Sequence, residues 1–426
     1  MNSIPIYNLK EFLENLQQNK KSTEGGKTNA KIVDLRPESE FIESHIKSSL
    51  NVRVKEVCER LFEFPPKTTD LFVVTDAQIL DNTDIDIVNT THNEKLVACS
   101  AEIHSLSDSF IPKCVRGAIL VLLKKGWNVK GVVRWTGIGE NHLNSNIYQC
   151  QLTTGEEYNI IFSPCPQLGK NIKLIEYTLF KNIYLNCEDH ALKKTNIAGD
   201  AGAKHTATQI LNLKVLDVGC GSGRDMIYLG LRNSSVLPRS DKKNLVKLEW
   251  TPYGIDYLDY CLDRVRNLSE RAHISSKIQL YHARVNGDGV FVPVNRLRNS
   301  YGLNIGECQH SDSYIPSTLK FHVGPEAVEE LNSSNGFFDL ILNVRYLNRK
   351  AFSHYHKLLS KNGLIFISTF VAGEGIPKYT KPSGSHVLQS DELKKYWSAL
   401  NYTILLDSIE LLDDGRSVTA FIAQKG

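Results

Sequence analysis

Gly219, Gly221 and Gly223 alternate through the turn of Val215-Leu216-Asp217-Val218-Gly219-Cys220-Gly221-Ser222-Gly223-Arg224, and this stretch constrains the chain more than any other. A short apolar strand ends in an acidic residue before the turn, and a helical run, Asp225 to Leu231, follows it. Such a turn brings backbone N–H groups close to a ligand at a helix N-terminus, with no side chain in the way. A dinucleotide-binding turn spaces its glycines G-x-G-x-x-G to seat a pyrophosphate. Arg224 occupies the place of the last of those glycines, so that pattern fails.

At 426 residues the chain is long for one domain and comfortable for two. It is 41% hydrophobic and 23% charged, ordinary for a globular protein, and its net charge of +3 is too small to argue for nucleic acid or a membrane as partner. No apolar run approaches the ~20 residues of a membrane span. The opening MNSIPIYNLKEFLENL lacks the pattern of a targeting peptide. The nine cysteines are scattered and form no C-x-x-C pair, which fits reduced thiols in a cytoplasmic protein better than disulfides or a metal site.

The chain changes character near Arg134. Before it, strand-like Lys31–Leu35, Leu71–Thr75 and Lys130–Val133 alternate with amphipathic Leu9–Gln17 and Ala118–Lys125, which predicts a small parallel α/β domain over 1–136. Residues 137–170, with Asn, Gly, Ser and Pro, read as linker. A second domain, 171–426, opens with a helix at Ile172–Tyr184 and carries strands at Lys214–Val218, Thr251–Ile255, Phe338–Asn343 and Leu364–Thr369. Helices fit Tyr257–Ser269 and Lys350–Leu359, and the polar stretches Asn233–Lys247 and Asn286–Ile315 read as surface insertions. Tyr402–Leu412 and Ser417–Gln424, split by Asp413-Asp414-Gly415-Arg416, form a closing hairpin. The fold class is α/β, parallel-sheet in both domains, with a C-terminal antiparallel hairpin in the second.

The spacing Asp217-x-Gly219-x-Gly221-x-Gly223 resembles the first motif of class I S-adenosylmethionine (SAM) methyltransferases. Three further features follow in order: Tyr253-Gly254-Ile255-Asp256 at the end of the second strand, Phe338 through Arg349, and Leu359 through Phe370. The closing hairpin supplies the antiparallel seventh strand of that class. Gly223-Arg224-Asp225 with Tyr228-Leu229, Arg345 through Arg349, Ser368-Thr369-Phe370 and Asp414-Gly415-Arg416 bring the chain nearer to the tellurite-resistance type and its small-molecule relatives. The resemblance implies SAM as cofactor, held by Asp217, Gly219, Cys220, Gly221, Gly223 and Asn343, with Asp256 on the ribose hydroxyls. Asp256 also reads as a helix N-cap. The third strand is Lys277–His282 or Thr318–Val323, so the adenine contact stays open, Asp288 being one candidate.

Arg345, Tyr346 and Arg349 follow the fourth strand, at the edge where open α/β sheets bind ligands, and are the candidate catalytic residues. The two arginines can steer an anionic acceptor or form surface ion pairs, and Tyr346 can belong to the core. Asn343–Arg349 offers no His or Glu as general base, which favours a thiolate or chalcogen anion among small-molecule acceptors.

In the first half, Ile32-Val33-Asp34-Leu35-Arg36-Pro37-Glu38-Ser39-Glu40-Phe41 with Ser44-His45-Ile46-Lys47-Ser48 resembles the entry motif of rhodanese domains, Ser44 and Ser48 replacing its two glycines. Asp34, Arg36, Glu40 and His45 can knit strand, turn and helix into one polar network. An active rhodanese needs a cysteine in a loop between strand and helix. Leu71–Thr75 runs instead into Asp76-Ala77-Gln78, and the family's cysteine would fall near Ser109, a place that Cys99 and Cys114 both miss. The module is expected to be non-catalytic and available to a protein partner. A scaffold with two degenerate sites and a bifunctional sulfurtransferase–methyltransferase are the competing readings.

Overall fold

The computed structural model describes residues 4–22, 30–76, 114–136, 151–185, 209–236, 246–294, 320–322, 325–376, 381–382 and 384–426. Its contacts divide it into two units, Met1–Ser163 and Pro164–Gly426.

In the first unit, β1 (Ile6–Asn8), β2 (Lys31–Asp34), β4 (Leu50–Asn51), β5 (Leu71–Asp76) and β6 (Val129–Trp135) form a parallel sheet in the order β1-β6-β5-β2-β4. Alternation along the strands decides the layers. Val33, Leu71 and Val73 face α3 (Val115–Lys124) through Val115, Ala118 and Leu122. Ile32, Val74 and Val133 face α1 (Leu9–Ser22) through Leu9, Phe12 and Leu13. The short β3 (His45–Ile46), which follows α2 (Glu38–Glu43), pairs with β7 (Leu152–Thr153), and Ile161 lies in the core with Val33. Much of the stretch expected as linker over 137–170 is therefore built into a unit, because Leu152 and Ile161 bury against this sheet.

The second unit carries a sheet in the order β12-β11-β10-β8-β14-β15-β19-β18. Its members are β8 (Gln209–Val218), β10 (Val246–Asp256), β11 (Gln279–Val285), β12 (Phe291–Pro293), β14 (Phe338–Val344), β15 (Leu359–Ser368), β18 (Thr403–Leu411) and β19 (Ser417–Gln424). From β11 to β15 all pairings are parallel, whereas β19 runs antiparallel between β15 and β18. The parallel sheet with an antiparallel strand supplied by the closing hairpin is what the resemblance implies. Leu213, Val215, Leu340, Leu342, Leu364 and Phe366 face one side, where α4 (Pro166–Phe180) packs through Leu168, Ile172, Ile175 and Leu179. Leu216, Val218, Ile341, Ile365 and Ile367 face the other, against Phe352, Tyr355 and Trp397.

The second strand begins at Val246, five residues before the expected start, and its first residues pair antiparallel with β9 (Ser234–Val236). Both ends of the Asn233–Lys247 insertion thus belong to the sheet. The third strand is Gln279–Val285, which sits beside β10, while β13 (Lys320–His322) lies one place further out. The second polar stretch also begins inside the core, since Phe291 is buried and β12 pairs with Ala283–Val285. Asn332 fixes it there, accepting from the Phe291 N–H at 3.2 Å and donating to the Phe291 carbonyl at 2.7 Å. At the start of β15 the register with β14 shifts between Phe338 and Leu340, and Asn362 takes a φ of 62°. Asn362 and Gly363 lie at this irregularity inside the strand, which begins at Leu359, five residues before the expected Leu364.

Candidate active site

The glycine turn joins β8 to α5 (Arg224–Leu231), and Gly219, Gly221 and Gly223 have φ of 73°, 54° and 74°. All three lie in the left-handed region that costs other residues about 1–2 kcal/mol. Gly219 and Cys220 donate their N–H groups to the Ile255 carbonyl at 2.9 and 3.0 Å, and Gly223 donates to the Cys220 carbonyl at 2.9 Å. A Cβ on Gly223 would come within 2.6 Å of Val265, and one on Gly219 within 2.7 Å of the Tyr346 ring. A Cβ on Gly221 would meet nothing within 4 Å. Two glycines are thus demanded by the protein's own packing, and the middle one opens onto free space.

Three carboxylates surround the turn. Asp256 ends β10; its Oδ2 accepts the Gly221 N–H at 2.9 Å and its Oδ1 the Leu258 N–H at 3.0 Å. A carboxylate offers about four lone-pair sites, so two remain for ribose hydroxyls. Leu258 stands at the N-cap of the helix Asp259–Arg271, so Asp256 braces the loop before that helix and the N-cap reading does not hold, while the ligand reading keeps its two free lone-pair sites. Asp217 is 3% exposed and no donor among the described residues reaches it. Burial, followed by the charges of Asp225 and Asp256, pushes its carboxyl well above the usual range. Asp225 accepts the Cys165 N–H at 2.6 Å, which ties the start of α4 to the turn. Burial raises the Asp225 carboxyl too, opposed by that N–H and by Arg224 and Arg345. Among the described residues no ion pair within 4.0 Å neutralises any of the three.

Asn343 lies on β14, one residue beyond Leu342, the partner of Asp217 across the sheet. It is fully buried; its Nδ2 donates to the Tyr355 hydroxyl at 3.1 Å, and its Oδ1 has no partner. Thr369, at the end of β15, also has a buried hydroxyl without a partner. These two partnerless atoms can take a hydrogen-bond donor from a ligand, and the Asp217 carboxylate a positive charge. The amino-acid part of SAM carries an ammonium, and its sulphur a second positive charge. The residues present therefore fit that cofactor.

Cys220 lines the turn, and burial with Asp217 and Asp256 pushes its thiol up, so it stays protonated and packs as a small apolar group. Tyr346 closes over Gly219, and burial raises its hydroxyl, opposed by a hydrogen bond to Asn348. Arg345 is exposed, with a φ of 54° and its N–H given to the Ser368 carbonyl at 2.8 Å. Its charge acts on Arg224, Asp225 and Asp414. Arg349 is different. It pairs with Glu392 through Nε and Nη2 and donates to the Ser385 and Val387 carbonyls at 2.6 and 2.8 Å. It therefore ties residues 385–392 to the strand end and has no free charge to steer an acceptor; of the two readings, the ion pair holds.

Other residues of the site were not singled out from sequence. Gly254 on β10 admits no side chain, because a Cβ would lie 2.5 Å from the Met226 sulphur and 3.1 Å from that of Cys220. His282 on β11 holds the loop after Asp256, Nε2 lying 3.1 Å from the Tyr257 carbonyl and Nδ1 3.2 Å from Asp259. Gln167 Oε1 lies 3.3 Å from both the Ser368 hydroxyl and the Cys165 sulphur. Burial, then Asp225, pushes the Cys165 thiol up to about 11.

In the first unit, Arg36 donates to both oxygens of Asp34, down to 2.7 Å, and to the Ser44 carbonyl at 2.8 Å, while its guanidinium lies 3.7 Å from the Trp135 ring. His45 stacks on Phe41, with its Nδ1 2.8 Å from the Phe41 carbonyl. Glu40 faces Asp76, whose hydrogen bond, followed by burial, raises the Glu40 carboxyl. Asn51 completes the corner by donating to the Asp34 and Arg36 carbonyls, each at 3.0 Å. Cys114 is exposed at the N-cap of α3; Cys99 and Ser109 lie outside the described residues.

Residues 10–127 match the model of the rhodanese-like domain, and the first unit is a rhodanese-like domain. The full chain is similar to an uncharacterised protein of Schizosaccharomyces pombe, UNK4.09, with 24% identity over 409 residues and 93% of each chain covered. Among solved structures it is similar to a SAM-dependent methyltransferase from Aquifex aeolicus, at 11% identity and a TM-score of 0.30, covering 61% of this chain and 98% of that one. It is also similar to TehB from Haemophilus influenzae, at 15% identity and a TM-score of 0.29, covering 58% and 66%. Among the described residues no helix is long and apolar enough to cross a membrane, and no cluster of His, Cys, Asp and Glu could hold a metal.

Proposed function

We propose that the second unit is a SAM-dependent methyltransferase acting on a small-molecule acceptor, with a thiolate or chalcogen anion preferred. The observation that carries this reading is the turn at Gly221. A Cβ there would meet nothing within 4 Å, its N–H is held by Asp256, and the strands before and beside the turn carry the buried Asp217 and the partnerless Oδ1 of Asn343. Asp256 would meet the ribose, Asp217 and Asn343 the amino-acid part, and the backbone of Gly219–Gly223 the path between them. The sulfonium supplies an already activated methyl group, so the protein's task is alignment and exclusion of water. Arg345 attracts an anionic acceptor to the strand ends, and Tyr346 covers the turn. The cytoplasmic setting expected from the cysteines suits such an acceptor.

The rhodanese-like unit is proposed to be non-catalytic and to dock a partner or stabilise the chain. Its strand β5 ends in Asp76 facing Glu40, an acidic corner that repels a thiolate. Calorimetric titration of SAM into the full chain and into Gly221→Val tests the cofactor, since valine fills the open space. Binding by the wild type alone supports the reading, and no binding by the wild type removes it. A labelled-methyl screen across thiols, selenols and tellurite then identifies the acceptor.

A further inference from the structure

His282 lies near the carboxyl end of β11, paired in register with Asp256 on β10, and is 5% exposed. Both of its ring nitrogens face acceptors. Nε2 lies 3.1 Å from the Tyr257 carbonyl, and Nδ1 lies 3.2 Å from the Asp259 carboxylate. A neutral imidazole has one N–H and one lone pair, so either tautomer sets a lone pair against one of these oxygens. Only the imidazolium donates to both. We propose that His282, as an imidazolium, is the positioning residue of the loop that follows Asp256, and that this loop and the cofactor site it serves loosen as the ring loses its proton. The cofactor site rests on the reading of the turn as a SAM site, whereas the bridge stands on these residues alone.

The bridge spans the residues that leave the strand. Tyr257 follows Asp256 directly, and Asp259 opens the helix Asp259–Arg271 after its N-cap, Leu258. Between them, Leu258 gives its N–H to Asp256 Oδ1 at 3.0 Å, while Asp256 Oδ2 accepts the Gly221 N–H at 2.9 Å. One ring therefore pins both neighbours of the amide that holds the Asp256 carboxylate, and through that carboxylate the open glycine of the turn. Burial contributes little at these two positions, since Tyr257 is 54% exposed and the Asp259 side chain 61%.

The charged groups about the ring are Asp259 on the helix and Asp256, which shares its face on the neighbouring strand. Arg284, two residues along β11, is exposed. Just past β12, Val294 meets His282 through the backbone, giving its N–H to the His282 carbonyl at 3.2 Å, and β13 ends its pairing at Tyr281. The two ring hydrogen bonds are complete while the ring is charged, at lower pH, and one is lost as pH rises through its titration. A lone pair then faces either the Tyr257 carbonyl or Asp259, and the loop gives way at that point.

The test is amide hydrogen exchange of the full chain, read by mass spectrometry from about pH 5.5 to about pH 8.5, across the range in which imidazoles titrate. Protection of the Gly221 and Leu258 amides, with the chemical exchange rate at each pH divided out, is expected to fall about tenfold with rising pH, the weight of one hydrogen bond to a charged group. Asp259→Asn separates the bridge from other titrations. Its amide can turn either oxygen or NH2 toward Nδ1 and so satisfies the charged and the neutral ring alike. In that variant protection should change by less than about threefold. Calorimetric titration with SAM completes the test: its affinity for the wild type relative to Asp259→Asn should also fall about tenfold over the range. Flat protection in the wild type, or an equal fall in Asp259→Asn, overturns the proposal. So does protection that falls while the ratio of SAM affinities stays constant. If SAM binds neither protein and protection still falls as expected, the cofactor reading is refuted and the bridge stands.

Discussion

Replacing Gly223 by alanine perturbs the turn in two separable ways. The φ of 74° becomes strained, at about 1–2 kcal/mol for a non-glycine residue. The new Cβ also falls 2.6 and 2.8 Å from the two Cγ atoms of Val265, an overpacking that costs about 1–3 kcal/mol. The stiffer unfolded chain returns about 0.4–1 kcal/mol. The net loss is therefore about 2–4 kcal/mol. Val265→Ala alone removes two buried methyl groups, at roughly 0.8 kcal/mol each. In the double variant the Cγ clash is gone and the remaining Val265 Cβ stands 3.1 Å away, so only the conformational strain and the lost methyls remain. The two substitutions should couple favourably by about 1–3 kcal/mol, well beyond the scatter of independent sites. Hydrogen exchange of the Leu213–Val218 amides, followed by mass spectrometry, reports opening of this unit separately from the first. Additive losses, or a neutral Gly223→Ala, would refute the packing argument for that glycine.

Arg36→Ala in the rhodanese-like unit strands a buried Asp34, and breaking such a pair costs about 3–5 kcal/mol; limited proteolysis should cleave within 30–76 in the variant and not in the wild type. Lys425→Met keeps the aliphatic stem but frees the His356 and Leu359 carbonyls, which Lys425 meets at 2.6 and 2.8 Å, and should destabilise by about 1–3 kcal/mol in thermal unfolding. Burial raises Glu392, but the hydrogen bonds from Arg349 and the Gln389 N–H together with the Arg349 charge outweigh it for a net lowering, so its contribution is present above the unfolded carboxyl's titration and lost as pH falls through the folded one. Arg349→Ala should flatten that acid limb of the stability profile while leaving SAM affinity unchanged; a fall in affinity would return Arg349 to the binding site. Thiosulfate-to-cyanide transfer should be absent from the wild type, and activity that disappears in Cys114→Ala would show the first unit to be catalytic.

The turn, the strand ends and the hairpin were legible because each depends on local chemistry: alternating glycines, apolar alternation and an Asp-Gly turn. What sequence missed depends on partners distant in the chain. Gly254 reads as an ordinary interruption of a strand, and only the approach of Met226 and Cys220 shows why a side chain is excluded. Cys165 reached the site through a backbone N–H, which no residue type announces. Arg349 and Arg345 looked equivalent, four residues apart on one motif, until Glu392 claimed the first. The polar flanks of Phe291 hid a core strand, since its burial rests on Asn332 more than thirty residues on.

Strand β19 lies between β15 and β18, yet it is synthesised after both. During translation β15 and β18 can each be complete while the slot between them stands empty, leaving edges of unpaired N–H and C=O groups. The carbonyls that Lys425 caps wait equally long. Until residues 417–424 arrive the sheet ends at β15 and β18 has no partner in it, although the glycine turn and Asp256 have long been made. Strand β19 is what attaches β18 to the sheet. Shielding of the nascent sheet until its arrival, by the exit tunnel or by a chaperone, would govern the yield of this protein more than the stability it finally reaches.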